Sequence, residues 1–308
     1  MLRVDLRSAP GAPLEFAVRF DLPPRAVLGL FGPTGAGKTT LLRAVAGLQP
    51  VEGEVLLDGE DVRARSPWLR PVGWVPQRQG LIPHWTPEQH LRALGPALRE
   101  DPGDALHRLE LDELSDRPVR RLSFGERQRL ALGRALFTRR PLLLLDEPFS
   151  ALDAGTRLRM GDLLLEEVQR TGAVALLATH DLYEVQRLCS RLCLLRRGEM
   201  LAEGPTADLL REPPHARAAE LLGYHLLGDG LCVHPAEALW QPAAGRVGVQ
   251  GVVRRALPRD FGWRVELTTP DGRAFAADLP QGARPPDAGE RVSVHFPERR
   301  LPVDPLLD

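Results

Sequence analysis

Lysine is nearly absent from this chain. Among 308 residues it occurs once, at position 38, and arginine fills every other basic position. Cysteine is scarce too: Cys189, Cys193 and Cys232 are the whole complement. Three thiols make no disulfide framework and fit a reducing compartment. Cys189 and Cys193 lie four apart with no His/Cys cluster nearby, so buried small hydrophobes are expected rather than metal ligands. Net charge is only −1, which supplies no strong field toward nucleic acid or anionic lipid, and no nucleic-acid partner is expected. No apolar run approaches the ~18 residues of a membrane span. The longest, "PLLLLD", is far shorter, and the opening "MLRVDLRSAP" lacks the apolar core of a signal peptide. Internal repeats and low-complexity tracts are also missing. The expectation is a soluble, cytoplasmic protein that serves a membrane only by docking to another protein.

What is present reads as an α/β protein. Hydrophobic content of 43% and charged content of 26% are ordinary for a globular chain. The length suits one large domain plus a small one. "AVLGLF" (26–31) is a compact apolar run leading into a glycine-rich loop, and "KTTLLRAVAGL" has helical spacing that stops near Gly47. "VEGEVLLDGEDV" predicts two short strands around an Asp58-Gly59 turn. "RPVGWVPQ" predicts a strand ending at Gln77, and residues 84–121 read as polar helices broken by Pro and Gly. "LLLLD" (142–146) and "AVALLATH" (173–180) are apolar throughout, the pattern of strands buried on both faces of a parallel sheet. "RLCLLRRGEMLAEG" predicts a hairpin at Arg197-Gly198. Strands alternating with helices imply a mainly parallel sheet.

Composition shifts after about residue 211, at the proline pair of "REPPHARAAE". The segments "RVGVQGVVRRAL", "GWRVELTTPDGRAFAADL" and "ERVSVHF" then alternate, with Asp271-Gly272 as a turn. They predict a small antiparallel, barrel-like β domain.

Three motifs carry chemistry. "GPTGAGKT", Gly32 to Thr39, fits G-x-x-x-x-G-K-[ST] between a strand and a helix. Glycines there let backbone N–H groups converge on phosphate oxygens, and the helix N-terminus adds partial positive charge. The candidate ATP-binding residues are Gly32, Pro33, Thr34, Gly35, Ala36, Gly37, Lys38, Thr39 and Thr40. Lys38 reaches the terminal phosphates and the Thr39 hydroxyl ligates Mg²⁺. A compact ammonium suits that nest better than the wider arginine fork, which gives the lone lysine its reason. "LLLLDEP" places Asp146 at a strand end beside Mg²⁺ and Glu147 as general base on the attacking water. "LSFGERQRL" has capping-box spacing, Ser123 to Glu126, at a helix start that is also an anion site.

These motifs, with a glutamine after a strand, "SALD" and a histidine after a strand, occur in the order found in ATPase subunits of ABC transporters. Residues 1 to about 225 resemble that family. The resemblance implies a P-loop NTPase core of ABC type over 1–225, with a helical subdomain at about 78–135, and ATP and Mg²⁺ as cofactors. It implies that Gln77 senses Mg²⁺ and the attacking water, and that His180 contacts the γ-phosphate in its own subunit. It further implies a homodimer sandwiching ATP, in which Ser123, Phe124, Gly125 and Glu126 meet the partner's nucleotide and Asp153 links the two sites. Two departures stand out. Phe124 replaces the usual first glycine of the signature, and "RSAPGAP" lacks the aromatic that stacks on adenine. Phe16 is the nearest, in what reads as a strand.

"LCVHPAEALW" and the β segment after it, residues 226–308, resemble the OB/TOBE-type regulatory domain of bacterial importer ATPases. Molybdate, sulfate, iron, polyamine and sugar systems share this layout, and the molybdate subunit is the nearest in detail. The implied partners are a second copy, membrane permease subunits at the cytoplasmic face and, indirectly, a periplasmic or surface substrate-binding protein. Residues 78–100 are the expected permease groove, with His84, Trp85 and His90 as either lining or packing. Two other classes stay open: a soluble ABC ATPase outside transport, and an oxyanion sensor in which Arg254, Arg255 and Arg259 line an anion pocket.

Overall fold

The computed structural model describes residues 1–227 and 231–301. Residues 228–230 and 302–308, within the range expected for the C-terminal domain, lie outside the described residues. Two units divide the chain, Met1–Ala207 and Asp208–Asp308. Among the described residues no helix is long and apolar enough to cross a membrane.

The first unit is built on one ten-stranded sheet. Its strands are β1 (Leu2–Ser8), β2 (Ala17–Leu22), β3 (Val27–Phe31), β4 (Val51–Leu57) and β5 (Glu60–Asp61). They continue with β6 (Val72–Val75), β7 (Leu142–Asp146), β8 (Val174–Thr179), β9 (Arg191–Arg196) and β10 (Glu199–Pro205). The order across the sheet is β5-β4-β1-β2-β10-β9-β3-β8-β7-β6.

The expected parallel sheet is the β9-β3-β8-β7-β6 half. Its central strands β3, β7 and β8 are buried at every residue, as their unbroken apolar runs require. The other half is antiparallel except where β10 meets β2 in parallel, and it begins with a strand the motif reading passed over. In β1, Leu2, Val4 and Leu6 are buried while Arg3, Asp5 and Arg7 face water, a period of two plain in the sequence. Both expected hairpins form. Asp58 and Gly59 turn with φ of 51° and 88° between β4 and β5, and β9 pairs antiparallel with β10. The strand expected to reach Gln77 stops at Val75, because Pro76 has no N–H to continue the ladder.

Six helices complete the frame of this unit. α1 (Lys38–Ala46) ends at Gly47, with φ of 80°. Between β6 and β7 lie α2 (Pro87–Arg92), α3 (Pro102–Arg108) and α4 (Phe124–Leu136). α5 (Ala154–Thr171) and α6 (Leu182–Leu188) follow β7 and β8. Leu28, Leu30, Leu41, Leu42, Leu144 and Leu176 share the core that joins α1 to the sheet.

The second unit pairs β11 (His225–Leu226) with β12 (Cys232–Val233). Its four-stranded antiparallel sheet contains β13 (Arg246–Arg259), β14 (Gly262–Thr268), β15 (Ala274–Pro280) and β16 (Arg291–Pro297). The order is β15-β14-β13-β16, with the Asp271-Gly272 turn between β14 and β15. Val253, Val265, Leu267, Phe275, Val294 and Phe296 form a core of its own. All three cysteines are free and buried, as expected of small hydrophobes, and burial pushes the Cys232 thiol up to about 11.

Candidate active site

The glycine-rich loop joins β3 to α1. Gly32 leaves β3 so close to β9 that a Cβ there would lie 2.2 Å from the Leu195 carbonyl oxygen. Gly37 then caps α1 in the left-handed region, and its carbonyl accepts from the Leu41 N–H at 2.9 Å. The loop bounds a cavity of about 430 Å³, lined by Thr34 to Thr40 together with Leu14, Gln77, Glu147 and His180. Lys38, the first residue of α1, is buried. Its Nζ donates to the Gly32 oxygen at 2.6 Å and the Pro33 oxygen at 3.1 Å. An ammonium has three donors, so one remains for an anion in the cavity. Burial lowers the Lys38 pKa, while Glu147 and Asp146 act to raise it.

The two carboxylates differ in surroundings. Asp146 closes β7 and is 1% exposed. One oxygen accepts from the Thr39 hydroxyl at 3.1 Å; the other is buried with no hydrogen-bond partner. Burial raises its pKa, the Thr39 hydroxyl opposes that, and Glu147 adds to it. A divalent cation beside Thr39 fits this orphaned oxygen and the excess of oxygen donors. Glu147 follows at φ 50°, a left-handed conformation that costs a non-glycine residue about 1–3 kcal/mol. Its N–H donates to Ala178 of β8 at 3.0 Å, which fixes the turn. That turn presents the carboxylate to the cavity.

His180 and Gln77 follow β8 and β6, the strands on either side of β7. His180 Nδ1 lies 3.2 Å from Glu147 Oε1. A network unseen in the sequence holds that corner. The Thr179 hydroxyl donates to the buried Glu184 at 2.6 Å, and Asp181 caps α6 while accepting from Arg157 of α5 at 3.0 Å. Gln77 sits two residues past β6, in reach of the cavity.

Ser123, Phe124, Gly125, Glu126 and Asp153 do not line this cavity. Ser123 and Glu126 form the reciprocal capping box of α4. Phe124 is 51% exposed beneath the Arg127 guanidinium, and Asp153 caps α5 by accepting from the Thr156 N–H at 2.9 Å. These residues stand at exposed helix starts of the same unit.

A sequence profile described as ABC transporter matches residues 16–150. The thiamine import ATP-binding protein ThiQ of Cereibacter sphaeroides is 42% identical over 202 residues, which is 63% of this chain and 87% of that protein. The chain belongs to the ABC transporter family, as one of its ATPases. The molybdenum import ATP-binding protein ModC of Rhodobacter capsulatus is 38% identical over 250 residues, covering 75% of this chain and 67% of its own length. A solved ATP-binding subunit of an ABC transporter superposes with a TM-score of 0.60 at 28% identity, over 72% of this chain and 94% of that one.

The segment "RSAPGAP" of this ABC ATPase holds no aromatic, and among the described residues no Phe, Tyr or Trp lines the cavity; Leu14 does. Leu14 was not singled out in the sequence, because its loop packs here against the β9-β10 turn: a Cβ on Gly198 would lie 2.0 Å from the Glu15 oxygen, and the Gly198 N–H donates to the Ala36 oxygen at 2.9 Å. Phe16 precedes β2 and is buried in the core. Of the expected groove residues, His90 is buried and accepts from the Ile82 N–H at 3.1 Å, packing against Trp85, so both are structural. His84 is exposed. The arginine pocket does not form either. Arg255 pairs with Glu266 at 2.8 Å across β13 and β14, and Arg254 and Arg259 face solvent.

Proposed function

We propose that this chain binds and hydrolyses ATP to energise an importer of a small solute. The observation that carries this reading is convergence. Lys38 and Thr39 of α1 and Gln77, Glu147 and His180, which follow β6, β7 and β8, line one 430 Å³ cavity, with Asp146 bonded to Thr39 beneath it. ATP phosphates lie along the N–H groups of Thr34 to Thr40, and the third Lys38 donor meets a phosphate oxygen. Thr39, Gln77 and Asp146 are the residues that would hold Mg²⁺, which neutralises charge on the phosphates. Glu147 accepts a proton from water attacking the terminal phosphorus as the bond to the ADP oxygen breaks, and His180 orients that carboxylate. Leu14 offers the base less stacking surface than an aromatic, so discrimination between ATP and GTP is modest.

The exposed starts of α4 and α5 support the dimer reading. Ser123, Phe124, Gly125 and Glu126 miss this chain's own cavity, which leaves them to meet nucleotide bound by a second copy, with Asp153 linking the two sites. The permease holds the pair at the cytoplasmic face of the membrane, and a periplasmic or surface binding protein delivers the cargo. For cargo we keep molybdate or a related oxyanion. The ModC match supports it, because it spans more of this chain than the 207-residue first unit. Thiamine is the second reading, favoured by the higher identity of ThiQ over the ATPase unit.

Glu147→Gln tests the chemistry. The variant is expected to bind ATP, and GTP within a few-fold, while turnover falls by ~10²–10⁴, the weight of a general base. Near-normal turnover would remove Glu147 from that role.

A further inference from the structure

Behind Glu147 and His180, one arginine joins the two turns that carry them. Arg157 stands in the first turn of α5 and does not line the nucleotide cavity. Its Nη1 donates to Asp181, just past His180, at 3.0 Å. Its Nη2 donates at 3.3 Å to the oxygen of Leu152, at the far end of the turn that starts with Glu147. Its Nε is buried with no hydrogen-bond partner and lies 3.9 Å from the buried Glu184 carboxylate, near enough for an ion pair and too far for a hydrogen bond.

Both turns are tied internally. The Glu147 oxygen accepts from the Ser150 N–H at 3.3 Å and the Ser150 hydroxyl at 3.0 Å, and the Leu152 N–H donates to the Phe149 oxygen at 3.1 Å. On the other side the Asp181 N–H donates to the Thr179 hydroxyl at 3.0 Å, and that hydroxyl donates to Glu184 at 2.6 Å. A closed ring results. It runs from Glu147 to Leu152 along the chain, across Arg157 to Asp181, and back through His180 to Glu147. The His180 side chain is 63% exposed. Little packing holds that imidazole, so its 3.2 Å contact with Glu147 depends on the ring behind it.

We infer that Arg157 is a positioning residue for hydrolysis: by bridging the Leu152 carbonyl and Asp181 it holds His180 against Glu147 in the geometry that attack by water requires. The inference rests on the roles given to Glu147 and His180 and adds the residue that sets their separation. Arginine suits the task because its planar fork presents several donors at fixed angles, so one side chain meets a carbonyl and a carboxylate on different elements at once. A lysine ammonium is a single point on a flexible stem and fixes no angle between the two partners. Hydrolysis is sensitive at this scale, since a displacement of about 1 Å arising far from the reacting atoms costs up to about 10²-fold in rate.

The test is steady-state ATP hydrolysis by the full chain carrying Arg157→Ala, Arg157→Lys or Asp181→Asn, with Arg157→Ala repeated in a His180→Ala background. Arg157→Ala is expected to lower kcat by about 10- to 100-fold while the KM for ATP stays within about twofold, since no group of the phosphate loop is touched. The unchanged KM also reports folding. Arg157→Lys is expected to recover part of the loss. Asp181→Asn keeps the cap on α6, because the amide oxygen still accepts from the Tyr183 N–H, and turns its NH2 toward Arg157. It is expected to lose kcat several-fold at unchanged KM, and it carries the test if Arg157→Ala does not fold. With His180 already removed, losing Arg157 is expected to change kcat by less than about twofold, because groups that act as one unit are not additive. A role confined to stability would multiply the two losses, and that result overturns the inference. So does wild-type kcat in both Arg157→Ala and Asp181→Asn, or a loss confined to KM. If His180→Ala alone keeps wild-type kcat, the role of His180 falls first and takes this inference with it.

Discussion

At the scale of single residues, the lone lysine is explained by the floor of its loop. Nζ is bracketed by the Gly32 and Pro33 carbonyls at 2.6 and 3.1 Å, where β9 leaves Gly32 no room even for a Cβ. A planar guanidinium is wider and prefers bidentate partners, so it cannot use the same two carbonyls and still point a donor at phosphate. Lys38→Arg is expected to lower ATPase turnover by about 10²-fold, typical of losing one preorganised donor. Steady-state hydrolysis of the folded variant checks this, and full activity would return the single lysine to chance. Lys38 was legible in the sequence because the whole nest is nine contiguous residues. Leu14 was not, since it joins the cavity only through strand pairing and the β9-β10 turn.

At the scale of elements, the position of the loop depends on how α1 ends. Arg70, buried between α1 and the segment before β6, donates to the Val45 oxygen at 2.6 Å and reaches the Ala44 and Arg63 oxygens at 3.5 and 3.3 Å. It thereby satisfies carbonyls that the last helical turn leaves open, and Gly47 packs against its guanidinium. Arg70→Ala is expected to cost about 1–3 kcal/mol, the penalty of leaving such groups unsatisfied in the interior. Urea denaturation measures it, and an unchanged midpoint would mean water replaces the arginine. The glycine stop at 47 could be read from the sequence. The arginine could not, because the helix carbonyls it caps, at Ala44 and Val45, lie 26 and 25 residues earlier and no local pattern marks it. Capping of α4 by Ser123 and Glu126 was readable for the opposite reason: all of its atoms lie within one helical turn.

At the scale of the whole molecule, cargo is chosen outside the ATPase site, so its cavity residues do not distinguish molybdate from thiamine. Uptake is the informative measurement. In cells lacking this chain, molybdate accumulation is expected to drop by tenfold or more (about 1.4 kcal/mol in equilibrium terms) while thiamine uptake is unaffected. The reverse pattern would assign the thiamine reading. Among its described residues the second unit, with its own core, brings Arg254, Arg255 and Arg259 to no shared pocket, although its sequence suggested one; strand pairing sets Arg255 against Glu266. Sequence alone determined the phosphate loop, the buried parallel strands, the caps of α4 and the two tight hairpins of the first unit. Each is written in contiguous residues whose backbone preferences and burial periodicity act locally. Only the tertiary structure decided that Leu14 lines the cavity at the phosphate loop, that Arg70 closes α1, and that Glu184 is buried against Thr179 behind His180. Those outcomes depend on which distant segments meet, and contact across the fold leaves no periodic trace in the chain.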